Sequence, residues 1–149
     1  MAILQIRKLG DPVLRSRTKK VEKITEKTNE LLDNMIDTMY AKDGVGLAAP
    51  QVGILQRVAV VNVGENLIEL INPEIISESG KSIMEEGCLS VPNELGEVIR
   101  AEKIKVKTLN REGKEITFET ENFEARAIQH ELDHLDGVLF IDKTVKIME

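Results

Sequence analysis

The stretch His130-Glu131-Leu132-Asp133-His134 places the only two histidines of this chain four residues apart around a glutamate. On an α-helix, residues i and i+4 lie on one face, one turn apart, so both imidazoles can reach one metal ion. Glu131 is offset from that row, and it is better placed to accept a proton from water than to bind the ion. The pattern predicts a helical metal site for hydrolysis, although a helix with two solvated histidines has the same spacing.

Flanking residues predict that this helix covers about residues 123–136. Asn122 is a candidate N-cap, because its side chain can accept a hydrogen bond from the first turn. Gly137 suits the exit, because glycine tolerates the left-handed backbone that often follows a helix. We expect Asp133 and Asp136 to be solvated charges rather than metal ligands.

A third ligand must come from elsewhere in the chain. A metzincin would place a histidine where Phe140 stands, and a thermolysin-like enzyme would need more chain than the fifteen residues after His134. Cys88, the only cysteine, is the natural candidate, because thiolate binds Zn²⁺ and Fe²⁺ strongly. A lone cysteine is usually a small buried hydrophobe, but Glu86 and Gly87 directly before it argue against a core strand. Three protein ligands would leave a tetrahedral ion one open position, as in catalytic sites.

A glycine-rich segment, Gly44-Val45-Gly46-Leu47-Ala48-Ala49-Pro50-Gln51, superficially matches a dinucleotide-binding fingerprint. That motif needs a strand before it and a helix after it, whereas a helix is predicted before this segment and Pro50 interrupts the place where the second helix would run. Two alternatives stay open: a tight helix-to-strand turn, or a loop whose bare backbone lets another chain approach closely. In the second case the Gln51 amide would donate to a developing oxyanion without competing for the metal.

Hydrophobic periodicity predicts one more helix and several strands. Apolar residues at i, i+3, i+4 and i+7 indicate an amphipathic helix over residues 24–41 that stops near Asp43 and Gly44, where glycine would take the left-handed geometry. We expect an α+β fold with mostly antiparallel sheets packed around the C-terminal HExxH helix, an N-terminal helix, and a single catalytic domain. The domain is predicted over residues 1–149, a hairpin at 103–108 and 115–120, and extended segments at 56–63 and 70–76, the last interrupted at Asn72 and Pro73.

Composition argues against several classes of protein. A net charge of −6 disfavours bulk nucleic-acid binding, which needs a basic surface. One cysteine cannot form an internal disulfide, which fits a reducing compartment. No window approaches about 18 consecutive apolar residues, and the N-terminus has no signal-peptide layout. We therefore expect a cytoplasmic location and no membrane contact.

Three motifs together resemble those of the peptide deformylase family, in the family's order and over nearly the whole chain. The resemblance implies removal of the formyl group from the N-terminal formyl-methionine of newly made proteins, with release of formate. It implies that Cys88, His130 and His134 bind one divalent metal ion, natively Fe²⁺, with Zn²⁺, Ni²⁺ or Co²⁺ as ions that a purified sample can carry. The motifs are the glycine-rich segment at residues 44–51, Glu86-Gly87-Cys88-Leu89-Ser90 and Gln129-His130-Glu131-Leu132-Asp133-His134.

The resemblance also implies roles for residues outside the ligand set. The catalytic residues would be Glu131 as general acid and base, Gln51 and the backbone N–H of Leu89 around the formyl oxygen, and Gly46. A peptide would pair, as an added strand, with exposed main chain near residues 44–46. The substrate-binding residues would be Gly44, Val45, Met84, Phe123 and Ala127.

Two features depart from the family pattern. Many bacterial members have an arginine a few residues after the cysteine motif, thought to help bind the peptide, and Leu95 stands at about that place here. Some relatives have a basic C-terminal helix that docks on the ribosome, whereas residues 143–149 are a short and weakly basic segment. The expected partners are therefore N-formyl-methionyl nascent peptides and, weakly, the ribosome, with no direct nucleic-acid site.

Two other functions stay open at this point. One is a metallohydrolase of the same fold with a different acyl specificity, which a panel of formyl- and acetyl-methionyl peptides would distinguish. The other is a metal-dependent binding module whose ion has four protein ligands and no bound water, for which the sequence offers no evident fourth ligand.

Overall fold

The structure, a computed structural model, describes residues 2–148, with side chains to residue 145. Met1 and Glu149, the first and last residues of the predicted domain, lie outside the described residues. Glu149 is also the end of the weakly basic C-terminal segment. No helix in the described part is long and apolar enough to cross a membrane. The helices are α1 (Glu26–Ala41) and α2 (Asn122–Leu135), and the strands are β1 (Gly46–Ala48), β2 (Val58–Val63), β3 (Asn66–Ser79), β4 (Ser82–Cys88), β5 (Val91–Arg100), β6 (Lys103–Leu109), β7 (Glu115–Glu121) and β8 (Thr144–Met148).

The described strands form two antiparallel sheets, and α2 contacts both of them. The first has the strand order β1-β2-β3-β6-β7, and the second has the order β4-β5-β8. On β2, Val58 and Val60 pack with the apolar side of α1, whereas Ala59 and Val61 pack with α2. Both faces of β2 are thus covered, which explains its continuous apolar run. The α+β fold predicted around the HExxH helix is confirmed.

The N-terminal helix begins at Glu26, two residues later than predicted, and ends at Ala41. Its Leu32 and Met35 are completely buried against the first sheet. The left-handed residue after the helix is Asp43, with φ of 56°, and not Gly44 as predicted. Aspartate is among the few residues that tolerate this region, so the chain turns one residue earlier.

The catalytic-motif helix also differs from its prediction at one end. Its N-cap is Glu121, and Asn122 is its first residue, with φ of 58°. The Asn122 N–H donates to the Glu102 carbonyl, so β7 leads directly into α2. Gly137 follows the helix with φ of 77°, as predicted, and a Cβ there would stand 2.7 Å from the Arg15 carbonyl oxygen.

The extended segment at 70–76 is part of one strand and is not interrupted. β3 continues through Asn72 and Pro73, but its register with β6 shifts between Ile71 and Glu74. Asn72 has φ of 51°, and proline, which lacks an N–H, is tolerated in such a bulge. The prediction of a break mistook a bulge for the end of a strand.

The hairpin of β4 and β5 was not predicted. β4 contains Glu85, Glu86 and Gly87, residue types that are rare in strands, and its exposure does not alternate regularly. Its residues become extended because β5 pairs with them and because buried arginines neutralise Glu86. β1 was missed for a simpler reason, since three residues are too few to show a period.

Candidate active site and metal centre

Three donor side chains from two elements meet beside α2. The His130 and His134 ring centroids are 5.1 Å apart, and the Cys88 Sγ lies 3.3 Å from His134 Nε2. One donor atom from each of the three residues lies within 4.8 Å of the other two. The structure therefore brings together the three residues that the sequence predicted as ligands.

The second sheet holds Cys88 against the helix. Cys88 ends β4, opposite Val91 of β5, after a register shift that follows Glu86. It packs on a buried apolar cluster that includes Leu14 and Phe140. The Phe140 ring also stacks near His130, with 6.2 Å between centroids. The residue at the metzincin histidine position thus packs on His130 and does not supply a donor atom.

A buried group of ions, which we call the Glu86 cluster, anchors His130 from behind. The His130 Nδ1 N–H donates to Glu86 Oε1 at 2.9 Å, which leaves Nε2 as the ring atom available to an ion. Arg100 donates to both Glu86 oxygens, at 2.7 and 2.9 Å, and Arg126 donates to Oε2. The side chains of Glu86, Arg100 and Arg126 are 6%, 3% and 2% exposed. The cluster consists of Glu86, Arg100, Arg126 and Asp133.

Asp133 was expected to be a solvated charge, and that prediction is wrong. Its carboxylate accepts a hydrogen bond from Arg100 at 2.7 Å and another from Lys143, and its side chain is only 20% exposed. Asp136 is 41% exposed and pairs with Arg57 at 2.8 Å. Neither aspartate is part of the three-residue donor group.

Burial and these charges shift the pKa values of His130 and His134 in opposite directions. Burial disfavours the charged form of His130, but its contacts with Cys88 and Glu86 outweigh this and raise its pKa to about 10. Burial and the neighbouring charges of His130 and Arg100 lower the pKa of His134. The pKa of Glu86 lies well below its usual range, because hydrogen bonds from His130 and Arg100 outweigh the effect of burial. Glu86 is therefore a fixed negative charge behind His130.

Glu131 projects into the same space with one oxygen unpaired. Its side chain is buried, and Oε1 has no hydrogen-bond partner among the described residues. Burial raises its pKa to about 7, against the lowering effects of His130 and Arg100. A Cβ on Gly46 would stand 2.5 Å from Glu131 Oε2, so only glycine leaves room for the carboxylate in this position. A buried carboxylate with this pKa suits proton transfer at neutral pH.

Gln51 is fixed so that its amide faces the thiol. Its Oε1 accepts from the Ala48 N–H at 3.0 Å, and its Nε2 donates to Ser90 Oγ at 3.2 Å and lies 3.5 Å from Cys88 Sγ. The segment around it is a strand followed by a 3-10 turn over Ala49–Val52. The glycine-rich stretch is therefore neither a nucleotide loop nor a simple turn, because β1 is an edge strand.

A cleft of about 600 Å³ opens over these groups. Of the predicted substrate-binding residues, Gly44, Val45, Phe123 and Ala127 line it, and Met84 does not. Met84 lies on β4 one residue before Glu85, where the strand leaves the cleft, and its side chain is 43% exposed. The predicted catalytic residues Gly46, Gln51, Leu89 and Glu131 all line the cleft.

Comparisons with known proteins agree with this geometry. The family model described as polypeptide deformylase matches residues 3–149. The chain belongs to the peptide deformylase family. The peptide deformylase of Halothermothrix orenii is 64% identical over 151 residues, which cover 100% of this chain and 98% of that protein.

Solved structures of the family have the same fold. The crystal structure of the peptide deformylase from Thermotoga maritima aligns with a TM-score of 0.94 at 48% identity, covering 97% of this chain and 99% of that one. A class I type b peptide deformylase from Acinetobacter baumannii, solved with Met-Ala-Ser bound, aligns with a TM-score of 0.93 at 38% identity, covering 96% and 100%. The chain is a metal-dependent hydrolase that removes the formyl group from the N-terminal formyl-methionine of newly made proteins.

Several residues of this deformylase site were not found from the sequence. Arg100 and Arg126 lie far along the chain from Cys88, and nothing in their neighbours marks them as buried. Their signal would have been the unusual Glu86, which needs a buried partner if its strand is covered. Val91 and Asn93 also line the cleft, because β5 folds back over β4.

Proposed function

We propose that Cys88, His130 and His134 bind the single divalent ion of this deformylase, and that Glu131 transfers the protons. The observation that carries the proposal is the buried Glu131 oxygen without a partner, in a cleft that Cys88 and His130 also line, with the third donor, His134, next to them. A buried polar atom is normally paired, so an unpaired one beside a reaction centre indicates a group that acts on a ligand.

The donor set fits a catalytic divalent ion. One thiolate and two imidazoles suit Fe²⁺ and Zn²⁺, and three protein ligands leave a position open. When bound, the ion would polarise the formyl oxygen and lower the pKa of water from 15.7 towards about 7. We propose Fe²⁺ as the native ion, with Zn²⁺, Ni²⁺ or Co²⁺ as substitutes, and metal analysis after anaerobic purification distinguishes them.

Glu131 would accept a proton from the attacking water and later deliver it to the departing amine. The new bond joins the water oxygen to the formyl carbon, and the bond that breaks is the formyl carbon–nitrogen bond, so formate and a free amine leave. Burial, which raises the pKa of Glu131 to about 7, suits both directions of transfer. Gly46 contributes by leaving space for this carboxylate.

The negative oxygen of the intermediate would be held by donors around the thiol. The Gln51 amide is fixed through Ala48 and Ser90 and donates from the side of Cys88. The backbone N–H of Leu89, next in the chain, is the second proposed donor. Losing one such donor typically lowers the rate by about 10²–10³.

The formyl-methionine would lie along the cleft beside β1. β1 pairs with β2 on one side only, because it is the edge of its sheet, so a peptide can add as a strand on the other side. Val45 and Phe123, which are 44% and 42% exposed, offer apolar surface to the methionine side chain, and Gly44 and Ala127 also line this cleft. The Acinetobacter baumannii relative binds Met-Ala-Ser, a peptide that begins with methionine as the proposed substrate does.

The proposed substrate also indicates where the protein acts and which partners it has. We propose that the chain acts as one catalytic domain over residues 1–149, in the cytoplasm where nascent chains are made. Its partners would be N-formyl-methionyl nascent peptides, with weak ribosome association. Cosedimentation with ribosomes that carry nascent chains tests the second partner.

The role of Glu131 is tested by Glu131→Gln with formyl-Met-Ala-Ser as substrate. We expect unchanged metal content by elemental analysis and a fall in kcat of about 10²–10⁴, the usual contribution of general acid–base catalysis. Glu112→Gln removes an exposed carboxylate outside the cleft and is the matched control, with wild-type turnover expected. A metal-loaded Glu131→Gln protein with near-normal formate release would refute the role.

A further inference from the structure

The exposed charges that line the cleft all have one sign. Asp43, Glu85 and Glu94 line it and are exposed. Asp43 follows α1, whereas Glu85 and Glu94 belong to the paired strands β4 and β5. No exposed lysine or arginine lines the cleft within the described residues.

The cations near the cleft are hydrogen-bonded to other groups. Arg126 and His130 line its floor, but both hydrogen-bond to the buried Glu86, and Arg126 is 2% exposed. Lys8 donates to the Leu89 carbonyl at 3.0 Å, next to the cleft, but it is not a lining residue. A divalent ion and its thiolate would add one net positive charge at the floor, equally for every substrate.

Leu95 places an apolar side chain at this part of the cleft. Its side chain is 45% exposed at the cleft and packs beside Gly87, where a Cβ would stand 3.0 Å from a Leu95 methyl carbon. The residue next to it is the exposed Glu94. This side of the opening is therefore apolar and acidic.

The three exposed carboxylates of Asp43, Glu85 and Glu94, which we call the rim, can act only on charges in the later part of the substrate. A formylated N-terminus carries no charge, and methionine is neutral, so the first charges of a nascent peptide come from the side chains after the methionine. We propose that Asp43, Glu85 and Glu94 select N-formyl-methionyl peptides with a cationic side chain soon after methionine, and disfavour acidic ones. The proposal rests on the proposed function, because it requires the peptide to lie in this cleft.

The expected size can be obtained from simple electrostatics. We place each of the three carboxylates about 8 Å, one Debye length at 0.15 M salt, from the charged side chain of the peptide. At that distance through water they would favour binding of a lysine peptide over a glutamate peptide by roughly sevenfold. The same charges would discriminate by roughly 50-fold at 0.01 M salt and by less than about twofold at 1 M salt. Salt dependence therefore separates this selection from side-chain packing.

The first experiment measures kcat/KM for three amidated peptides, formyl-Met-Ala-Lys, formyl-Met-Ala-Ser and formyl-Met-Ala-Glu, with the metal-loaded wild-type enzyme. We expect the order Lys, Ser, Glu at low salt, carried by KM rather than kcat, and convergence at 1 M salt. Equal kcat/KM values for the lysine and glutamate peptides at 0.01 M salt would overturn the proposal.

The second experiment compares two triple variants that lose the same total charge. D43N/E85Q/E94Q changes the rim, and E22Q/E30Q/E112Q changes exposed residues that do not line the cleft. We expect the rim variant to lose the discrimination and the control to keep it. Selection by the rim is contradicted if the preference for the lysine peptide survives in D43N/E85Q/E94Q. It is also contradicted if that preference disappears equally in both triple variants. Leu95→Arg should also reduce the preference for lysine.

A binding measurement separates this proposal from the catalytic one. The product peptides Met-Ala-Lys and Met-Ala-Glu, amidated, share the same N-terminal ammonium, so the difference between their calorimetric Kd values reports only the side chain. A tighter Kd for the lysine peptide at low salt supports the rim even in the Glu131→Gln variant. Equal Kd values reject the rim, whatever the turnover.

Discussion

Two regions of this molecule are built from the same kinds of ion pair, and their surroundings give them different roles. The Glu86 cluster lies between α2 and the second sheet, where the side chains of Arg100 and Glu86 are 3% and 6% exposed. The pairs of the β6–β7 hairpin are solvated, and those of Lys103 and Glu119 are 51% and 55% exposed. The hairpin pairs are Lys103–Glu119 and Lys107–Glu115.

The difference shows that burial, and not the distance between the charges, decides what a pair does. The contacts are similar in length, 2.7 Å between Arg100 and Glu86 and 3.2 Å between Lys103 and Glu119. In the interior an ion that loses its partner is left desolvated, whereas on the surface water replaces the partner. The buried cluster can therefore hold His130 in one orientation, and the hairpin pairs have no comparable dependent group.

The largest effect is expected for Glu86→Ala. Removing the acid leaves Arg100 and Arg126 buried without their main partner, and breaking a buried pair in this way typically costs about 3–5 kcal/mol. Urea unfolding should show this loss in the free energy of unfolding, with an unchanged m value. Glu119→Ala on the hairpin is the control. Losses of similar size in the two variants would remove the distinction between the regions.

A smaller effect is expected for Glu86→Gln, which preserves the shape but not the charge. The partner of a ligating histidine typically changes metal affinity by about 10–100-fold, because it fixes the ring and raises its basicity. Chelator competition should show a weakened complex, while Glu115→Gln should bind metal as the wild type does. Unchanged affinity in Glu86→Gln would mean that the negative charge of Glu86 does not contribute to metal binding by His130.

A half-buried ion pair should have a coupling energy between those of the buried and the exposed pairs. Arg57 and Asp136 pair at 2.8 Å with side chains 16% and 41% exposed, and Arg57 also donates to Thr18 and the Leu135 carbonyl. A double-mutant cycle with Arg57→Met and Asp136→Asn should give a coupling energy of about 1 kcal/mol. A value as large as that of a buried pair would show that exposure is not the controlling quantity.

The smallest effect is expected on the hairpin. A cycle with Lys103→Ala and Glu119→Ala should give about 0.2–1 kcal/mol, and the coupling should disappear at about 1 M salt, where the Debye length is near 3 Å. Thermal unfolding at two salt concentrations measures it. A coupling that persists at high salt would indicate a pair shielded from solvent.

Prediction from the sequence succeeded where the signal was local. The spacing of His130 and His134 and the exit at Gly137 depend on helix geometry over a few residues, and the structure agrees with them. It failed where a residue's state depends on distant partners. Glu86 and Gly87 argue against a core strand, yet Glu86 is buried, because Arg100 and Arg126 reach it from other elements.

The amino-acid sequence by itself determined the spacing of His130 and His134, the neighbouring Glu131 and the three motifs that identify the family. It did so because the helical repeat places residues four apart on one face whatever the rest of the chain does. Only the tertiary structure decided that Glu86 anchors His130 and that Gly46 faces the Glu131 carboxylate. Those contacts join residues 44 or more positions apart, and strand register and sheet packing set them, which no local pattern encodes.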